Sequence, residues 1–251
     1  MLAFTETGAG RPVILVHGLF GSGKNLGGIA RRLAGTHRAI SVDMRNHGDS
    51  FRDPAHDYPD LAADLAEVIA AQGGQADIVG HSMGGKAAMW LALTRPEMVN
   101  RLVIMDIAPV AYAHDQNRVL NAMRDMDLAN LTRRSEADTR LAAAIQDPGT
   151  RAFLLQSLDL KAEPPRWKMN LQVLADQMDQ LTSYPPLGDK RFDGPALFLA
   201  GSASDYVRPE YDSIIRQHFP QAQITRMPDL GHWLHAEKPA EVADLVAGFL
   251  T

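Results

Sequence analysis

Asp77-Ile-Val-Gly80-His-Ser82-Met-Gly84-Gly85 joins a short apolar run to a helix-forming stretch, Lys86-Ala-Ala-Met-Trp90-Leu-Ala, through a serine flanked by glycines. The pentapeptide G-x-S-x-G recurs by chance, so it decides little alone; its strand-turn-helix setting decides more. A serine on such a turn sits in a strained backbone that leaves no room for side chains two residues to either side, hence Gly80 and Gly84. The turn lifts the hydroxyl clear of the sheet and aims the following amide at a reacting carbonyl oxygen. Ser82 is therefore the expected nucleophile. A glycine- and serine-rich helix cap without chemistry is the competing reading.

Outward from this turn, similar apolar runs occupy residues 13–17, 39–43, 102–106 and 196–200, and a last strand is expected at 223–227. Runs apolar at consecutive positions suit strands buried on both faces. Helix-length stretches at 25–34, 58–71, 82–94, 209–218 and 236–249 alternate with them, which predicts a doubly wound, mostly parallel α/β sheet. Between Ala108 and about Arg191 the rhythm breaks. No strand is expected there, only helical patterns at 117–129, 135–145 and 167–181, punctuated by Asp147-Pro-Gly149, Pro164-Pro165 and Pro185-Pro186. The expected organisation is a core of residues 1–107 and 191–251 with a helical lid, residues 108–190, inserted after the strand ending at Asp106. Ligands bind at the carboxyl edge of such sheets, where that lid would lie. A separate helical domain of unrelated role is the alternative.

The 251 residues, 45% of them hydrophobic, can bury one sizeable core. A net charge of -5 without any Lys/Arg run argues against a nucleic-acid partner. The absence of cysteine excludes disulfides, thiolate metal sites and cysteine nucleophiles, and is compatible with a reducing cytoplasm. Met1-Leu-Ala-Phe-Thr-Glu6 does not read as a signal peptide, and no apolar run approaches the ~20 residues of a membrane span. A soluble cytoplasmic protein is expected, with its oligomeric state open.

A serine nucleophile needs a base, and Leu230-Gly231-His232-Trp233-Leu234-His235 offers the best placed of nine histidines, between the last strand and the final helix. Gly231 is expected to let this loop approach Ser82. His235 reads as structural, and His81 as a packing residue that faces away from the serine oxygen. Two places could supply the acid that orients His232. Asp106 ends the strand after the nucleophile helix; Asp205 follows Gly201-Ser-Ala-Ser204 in a later loop. Asp106 is preferred, with Ser204 a further hydrogen-bond partner of His232. The oxyanion hole needs two backbone donors. The Met83 amide is one, and the Leu19 amide in His17-Gly18-Leu19-Phe20-Gly21 the other, with Phe20 lining the substrate pocket. Met123, Met126, Phe153, Leu154, Trp167 and Met178 could line an acyl pocket or simply fill the core.

His17-Gly18-Leu19-Phe20-Gly21-Ser22, Asp43-Met-Arg45-Asn46-His47-Gly48-Asp49-Ser50, Gly80-His-Ser82-Met-Gly-Gly85, Met105-Asp106-Ile-Ala-Pro109 and Gly231-His232-Trp-Leu-His235-Ala-Glu237-Lys-Pro239 together resemble the bacterial YbfF-type esterases. They are similar also to the mitochondrial abhydrolase-11-type proteins of the same α/β-hydrolase superfamily. The resemblance spans most of the core and is vague from Tyr112 to Pro186. It implies the α/β-hydrolase fold and carboxylesterase or thioesterase activity on short acyl chains, without metal or organic cofactor. It also implies Asp106 as acid with a serine near Ser204 assisting. Asp43, Arg45 and Gly48 would shape a neighbouring loop. The chain departs in placing Asp205 directly after Ser204.

Other readings compete. Gly18-Leu-Phe-Gly-Ser-Gly23-Lys24-Asn25 nearly matches a phosphate-binding loop, but Asn25 stands where a metal-ligating hydroxyl belongs. Lyase-type or cofactor-free haloperoxidase chemistry could use the same triad, and a binding module could retain the same pocket.

Overall fold

The computed structural model describes residues 1–113 and 116–251; His114 and Asp115, within the expected lid, lie outside the described residues. Seven strands form one sheet: β1 (Phe4–Thr7), β2 (Arg11–Val16), β3 (His37–Val42), β4 (Ala76–His81), β5 (Val99–Met105), β8 (Ala196–Gly201) and β9 (Ala222–Met227). Their order is β1-β3-β2-β4-β5-β8-β9, and all pairings are parallel except β1 with β3. Only β1 was not foreseen: Phe-Thr-Glu-Thr is short, mostly exposed and held at the edge by its partner. Chain order reverses at β2, with β3 on one side and β4 on the other, and that is where an open α/β sheet forms its crevice.

Helices α1 (Gly27–Leu33), α2 (Tyr58–Ala71), α3 (Met83–Thr94), α9 (Asp212–His218), α10 (Leu234–Glu237) and α11 (Pro239–Leu250) accompany the sheet. The stretch expected at 58–71 is α2 itself. Asp57 caps it by accepting the Asp60 amide at 2.9 Å, and proline sits in the first turn, where no amide hydrogen is missed. The stretches expected at 25–34 and 209–218 each open with a 3-10 turn before α1 and α9, and Pro239 splits 236–249 into the end of α10 and α11.

Between β5 and β8 lie α4 (Asn117–Asp125), α5 (Arg134–Ala142), α6 (Pro148–Leu155), α7 (Leu171–Asp176) and α8 (Met178–Thr182). Two expectations need correction here. A strand pair does occur, β6 (Leu158–Asp159) with antiparallel β7 (Arg166–Trp167), so Trp167 is not helical. The helix expected over 167–181 starts only after Asn170, which caps α7 by accepting the Val173 amide at 3.3 Å, and it breaks at Gln177. Asp147-Pro-Gly149 is not a break either: it starts α6, with Asp147 as cap and Pro148 in the first turn.

Apolar side chains gather into two clusters, one on each face of the sheet. One packs β2, β3, β4 and β5 against α2, α3 and the segment between β5 and β8. The other packs Val13, Leu15 and Val79 against α1 and α11. The inserted segment thus shares its apolar cluster with the sheet. No helix among the described residues is long and apolar enough to cross a membrane.

Candidate active site

Three loops far apart in sequence meet at the carboxyl ends of the strands. The turn after β4 carries Ser82, the chain leaving β5 carries Asp106, and the loop after β9 carries His232. His232 Nε2 lies 3.0 Å from Ser82 Oγ, and Nδ1 lies 2.7 Å from Asp106 Oδ2. A carboxylate accepts, so the ring proton sits on Nδ1 and the Nε2 lone pair faces the serine hydroxyl. Asp106 is fully buried and accepts two further hydrogen bonds, from the Gly201 amide at 2.9 Å and from the Ser204 hydroxyl, which thus meets the carboxylate and not the His232 ring expected as its partner. Three donors relieve the desolvation penalty that an unpaired buried carboxylate would carry. Asp205 is exposed one residue beyond Ser204; the carboxylate that His232 meets is that of Asp106.

The backbone is strained at these points. Ser82 (φ 51°), Asp106 (φ 49°) and Phe20 (φ 64°) occupy the left-handed region without being glycine. Each such residue costs about 1–3 kcal/mol and persists only because its surroundings enforce it. The Ser82 amide is held by Met105 O at 3.1 Å and the Asp106 amide by Leu199 O at 2.8 Å. A Cβ on Gly84 would come within 2.5 Å of the Val16 and His17 carbonyl oxygens, so the turn tolerates only glycine there.

The glycine that brings the histidine loop close is a different one from that expected. A Cβ on Gly231 would meet only the Glu237 carboxylate, at 3.1 Å, whereas one on Gly201 would lie 2.2 Å from Leu230 O. Gly201, in β8, is what lets the loop descend.

Leu19, Phe20 and Met83 line one cavity together with Ser82 and His232. Met83 opens α3, where amides lack intrahelical acceptors. Gly18 O accepts the Gly21 amide at 3.1 Å, which folds Gly18-Leu19-Phe20-Gly21 into a turn. His17 secures this turn: Nε2 accepts the Met44 amide at 3.0 Å, so Nδ1 donates to Gly18 O at 2.8 Å. Phe153, Leu154 and Met178 also reach the cavity. Met123, Met126 and Trp167 do not; they belong to the core, and Trp167 Nε1 donates to Met123 O at 3.0 Å.

Two residues not expected in the site brace His232. His81 Nε2 donates to the backbone carbonyl of His232 at 2.9 Å, and the Tyr206 ring stacks on the His232 ring, 4.0 Å between centroids and 23° between planes. Neither contact leaves a local sequence signal, because each joins residues from distant loops. Asp43 accepts the Gly23 and Asp49 amides at 2.8 and 2.9 Å, and Arg45 grips Asp64 through two bonds of 2.6 and 2.9 Å. The Gly48 turn closes directly over the Asp43 carboxylate, where a Cβ would collide. The Gly23 and Ser22 amides are thus spent on Asp43 and Asn25, which removes the phosphate-loop reading.

Burial pulls His17, His47, His56, His81 and His235 below the ordinary histidine value, His56 to about 3 and His235 to about 4. They are neutral in the folded protein near pH 7, whereas the unfolded chain takes up protons as pH falls through about 6.5. Their contribution to stability is therefore complete above pH 6.5 and lost progressively below it, at most about 1.4 kcal/mol per pH unit for each such site. Thermal unfolding should show a markedly lower Tm at pH 5.0 than at pH 7.5; equal midpoints would contradict neutral burial.

The alpha/beta hydrolase family model matches residues 13–245. Esterase YbfF of Escherichia coli (strain K12) is 39% identical over 244 residues, covering 95% of this chain and 92% of its own. The mouse (Mus musculus) sn-1-specific diacylglycerol lipase ABHD11 is 38% identical over 247 residues, covering 95% and 80%. A solved structure described as a marine microorganism esterase superposes with a TM-score of 0.94 at 34% identity, covering 99% of this chain and 98% of that one. With a mostly parallel seven-stranded sheet, a serine on the turn after its fourth strand and a match across most of its length, this chain belongs to the alpha/beta hydrolase family.

Proposed function

We propose that this carboxylic ester hydrolase cleaves short-chain acyl esters or thioesters through an acyl-enzyme on Ser82, with His232 as base and Asp106 as orienting acid. The observation that carries the reading is the unbroken relay from Ser82 Oγ to His232 at 3.0 Å and on to buried Asp106 at 2.7 Å. His232 Nε2 takes the hydroxyl proton as Oγ bonds to the substrate carbonyl carbon, and the carbonyl electron pair moves to its oxygen. The Leu19 and Met83 amides hold that oxyanion, aided by the positive end of α3. Collapse expels the alcohol or thiol, which receives the proton from His232. Water then repeats the sequence and frees the acid and Ser82. Asp106 holds the ring in the tautomer this exchange needs and stabilises the imidazolium.

Residues 108–190 serve in this reading as the lid, since Val119, Phe153, Leu154, Met178 and Leu181 from that segment line the cavity holding Ser82. At about 170 Å³ the cavity is smaller than the ~300–1,000 Å³ of drug-sized ligand sites, which favours a short acyl group. The relatives named esterase and lipase support the ester class.

A burst of one equivalent of p-nitrophenol from p-nitrophenyl butyrate, followed by slower turnover, would report the acyl-enzyme. Hydrolysis at wild-type rate by Ser82→Ala would overturn the proposal. Ser204→Ala removes one of three donors to Asp106 while leaving two. Its expected effect is a fall in kcat of about tenfold with KM unchanged, the value of one hydrogen bond to a charged group. Steady-state kinetics on the same ester checks this.

A further inference from the structure

The cavity contains a lysine that the reaction does not use. Lys86 lies one turn beyond Ser82, its amide bonded to Ser82 O at 3.0 Å, and only 1% of it is exposed. Its Nζ donates to Ser183 O at 2.7 Å and to Thr182 O at 3.3 Å. The rings of Tyr112, Tyr58 and Tyr184 surround the nitrogen at 4.8, 5.3 and 5.6 Å. No carboxylate pairs with it among the described residues, and burial pulls it down to about 7. An apolar side chain of the same length would fill this space without desolvating an amine. What lysine adds is direction: its donors point at the last carbonyls of α8, which a helix end leaves without intrahelical partners.

Tyr58 reaches the same helix end from α2, its hydroxyl donating to Leu181 O at 2.6 Å. The Tyr112 amide donates to Thr182 O at 2.9 Å, and the Tyr184 hydroxyl returns to Lys86 O at 3.3 Å. Three successive carbonyls, 181 to 183, are thereby fastened to the core. On the same short helix Met178, Leu181 and Thr182 line the cavity.

We infer that Lys86 and Tyr58 are positioning residues that hold α8 as a wall of the acyl cavity and so determine which acyl-chain length is accepted. The inference rests on ester hydrolysis at Ser82. An acetyl group draws its binding from the serine and the oxyanion amides, whereas a longer chain also draws on the wall, and energy from such remote contacts raises kcat/KM. A wall that has lost its fastening therefore affects long chains selectively.

The test is kcat/KM for p-nitrophenyl acetate and hexanoate in wild type, Lys86→Met, Lys86→Arg and Tyr58→Phe. The hexanoate-to-acetate ratio should fall about tenfold in Lys86→Met, equivalent to ~1.4 kcal/mol. It should fall less in Tyr58→Phe and be partly restored in Lys86→Arg, whose guanidinium can donate again. A merely space-filling Lys86 predicts no change in the ratio, and an unchanged ratio in both Lys86→Met and Tyr58→Phe overturns the inference. Should Lys86→Met fail to fold, Tyr58→Phe, which loses one oxygen, decides alone. A wild type that cleaves neither ester overturns the underlying ester reading as well, which separates the two failures.

Discussion

Ser82→Ala should lower kcat for p-nitrophenyl butyrate by about 10⁶-fold, the scale seen when a nucleophile that works as one unit with its base is removed. The variant keeps the Leu19 and Met83 amides and the cavity, so residual hydrolysis above the solvent rate is expected from these alone. The fold should persist, because the Ser82 amide bond to Met105 O is a backbone contact that alanine retains. Stopped-flow measurement of p-nitrophenol release should find no burst. A variant retaining more than a hundredth of wild-type kcat would show that another group performs the attack.

Asp106→Asn should lower kcat by about 10⁴-fold. The Gly201 amide donates to Oδ1, whereas the Ser204 hydroxyl and His232 Nδ1 share Oδ2. The Gly201 amide therefore keeps the asparagine oxygen, and the NH₂ takes the Oδ2 place facing His232 Nδ1, where the Ser204 hydroxyl can turn to accept. A donor facing Nδ1 forces the ring proton onto Nε2, which then cannot accept the proton of Ser82. Asp205→Asn should leave kcat within about twofold, as expected of an exposed surface substitution. The acid assignment fails if Asp205→Asn collapses kcat while Asp106→Asn spares it. Because KM mostly reflects the cavity walls, it should change little in either variant.

What could be read from the sequence was whatever leaves a local mark. Gly80 and Gly84 around Ser82 mark the turn, since only glycine avoids the collisions there. Asp57 and the proline that follows mark the start of α2, whose bounds match the expected stretch. Apolar runs buried on both faces disclosed five of the seven strands of the main sheet; β9, partly exposed, was legible from its place before the histidine loop, and the exposed edge strand β1 carries no such run. The inserted segment was less legible. Its helices are short, and capping by Asn170 and Asp147 sets their ends more than periodicity does. Pairwise choices between distant loops left no mark. Asp106 and Asp205 both follow strands that reach the site, and only the meeting of β5, β8 and the His232 loop distinguishes them. For the same reason His81, Lys86 and Tyr206 entered the site only through contacts across the fold.

The central claim is that Ser82 is an activated nucleophile. Reaction of the folded protein with a fluorophosphonate tests it most directly, since such probes bond covalently to serines that a neighbouring base has activated. Intact-mass analysis should find one adduct per chain, and peptide mapping should place it on Ser82. His232→Ala should slow labelling severely, and Ser82→Ala should abolish it. A folded wild-type protein that takes up no probe, or an adduct on any residue other than Ser82, would contradict the account.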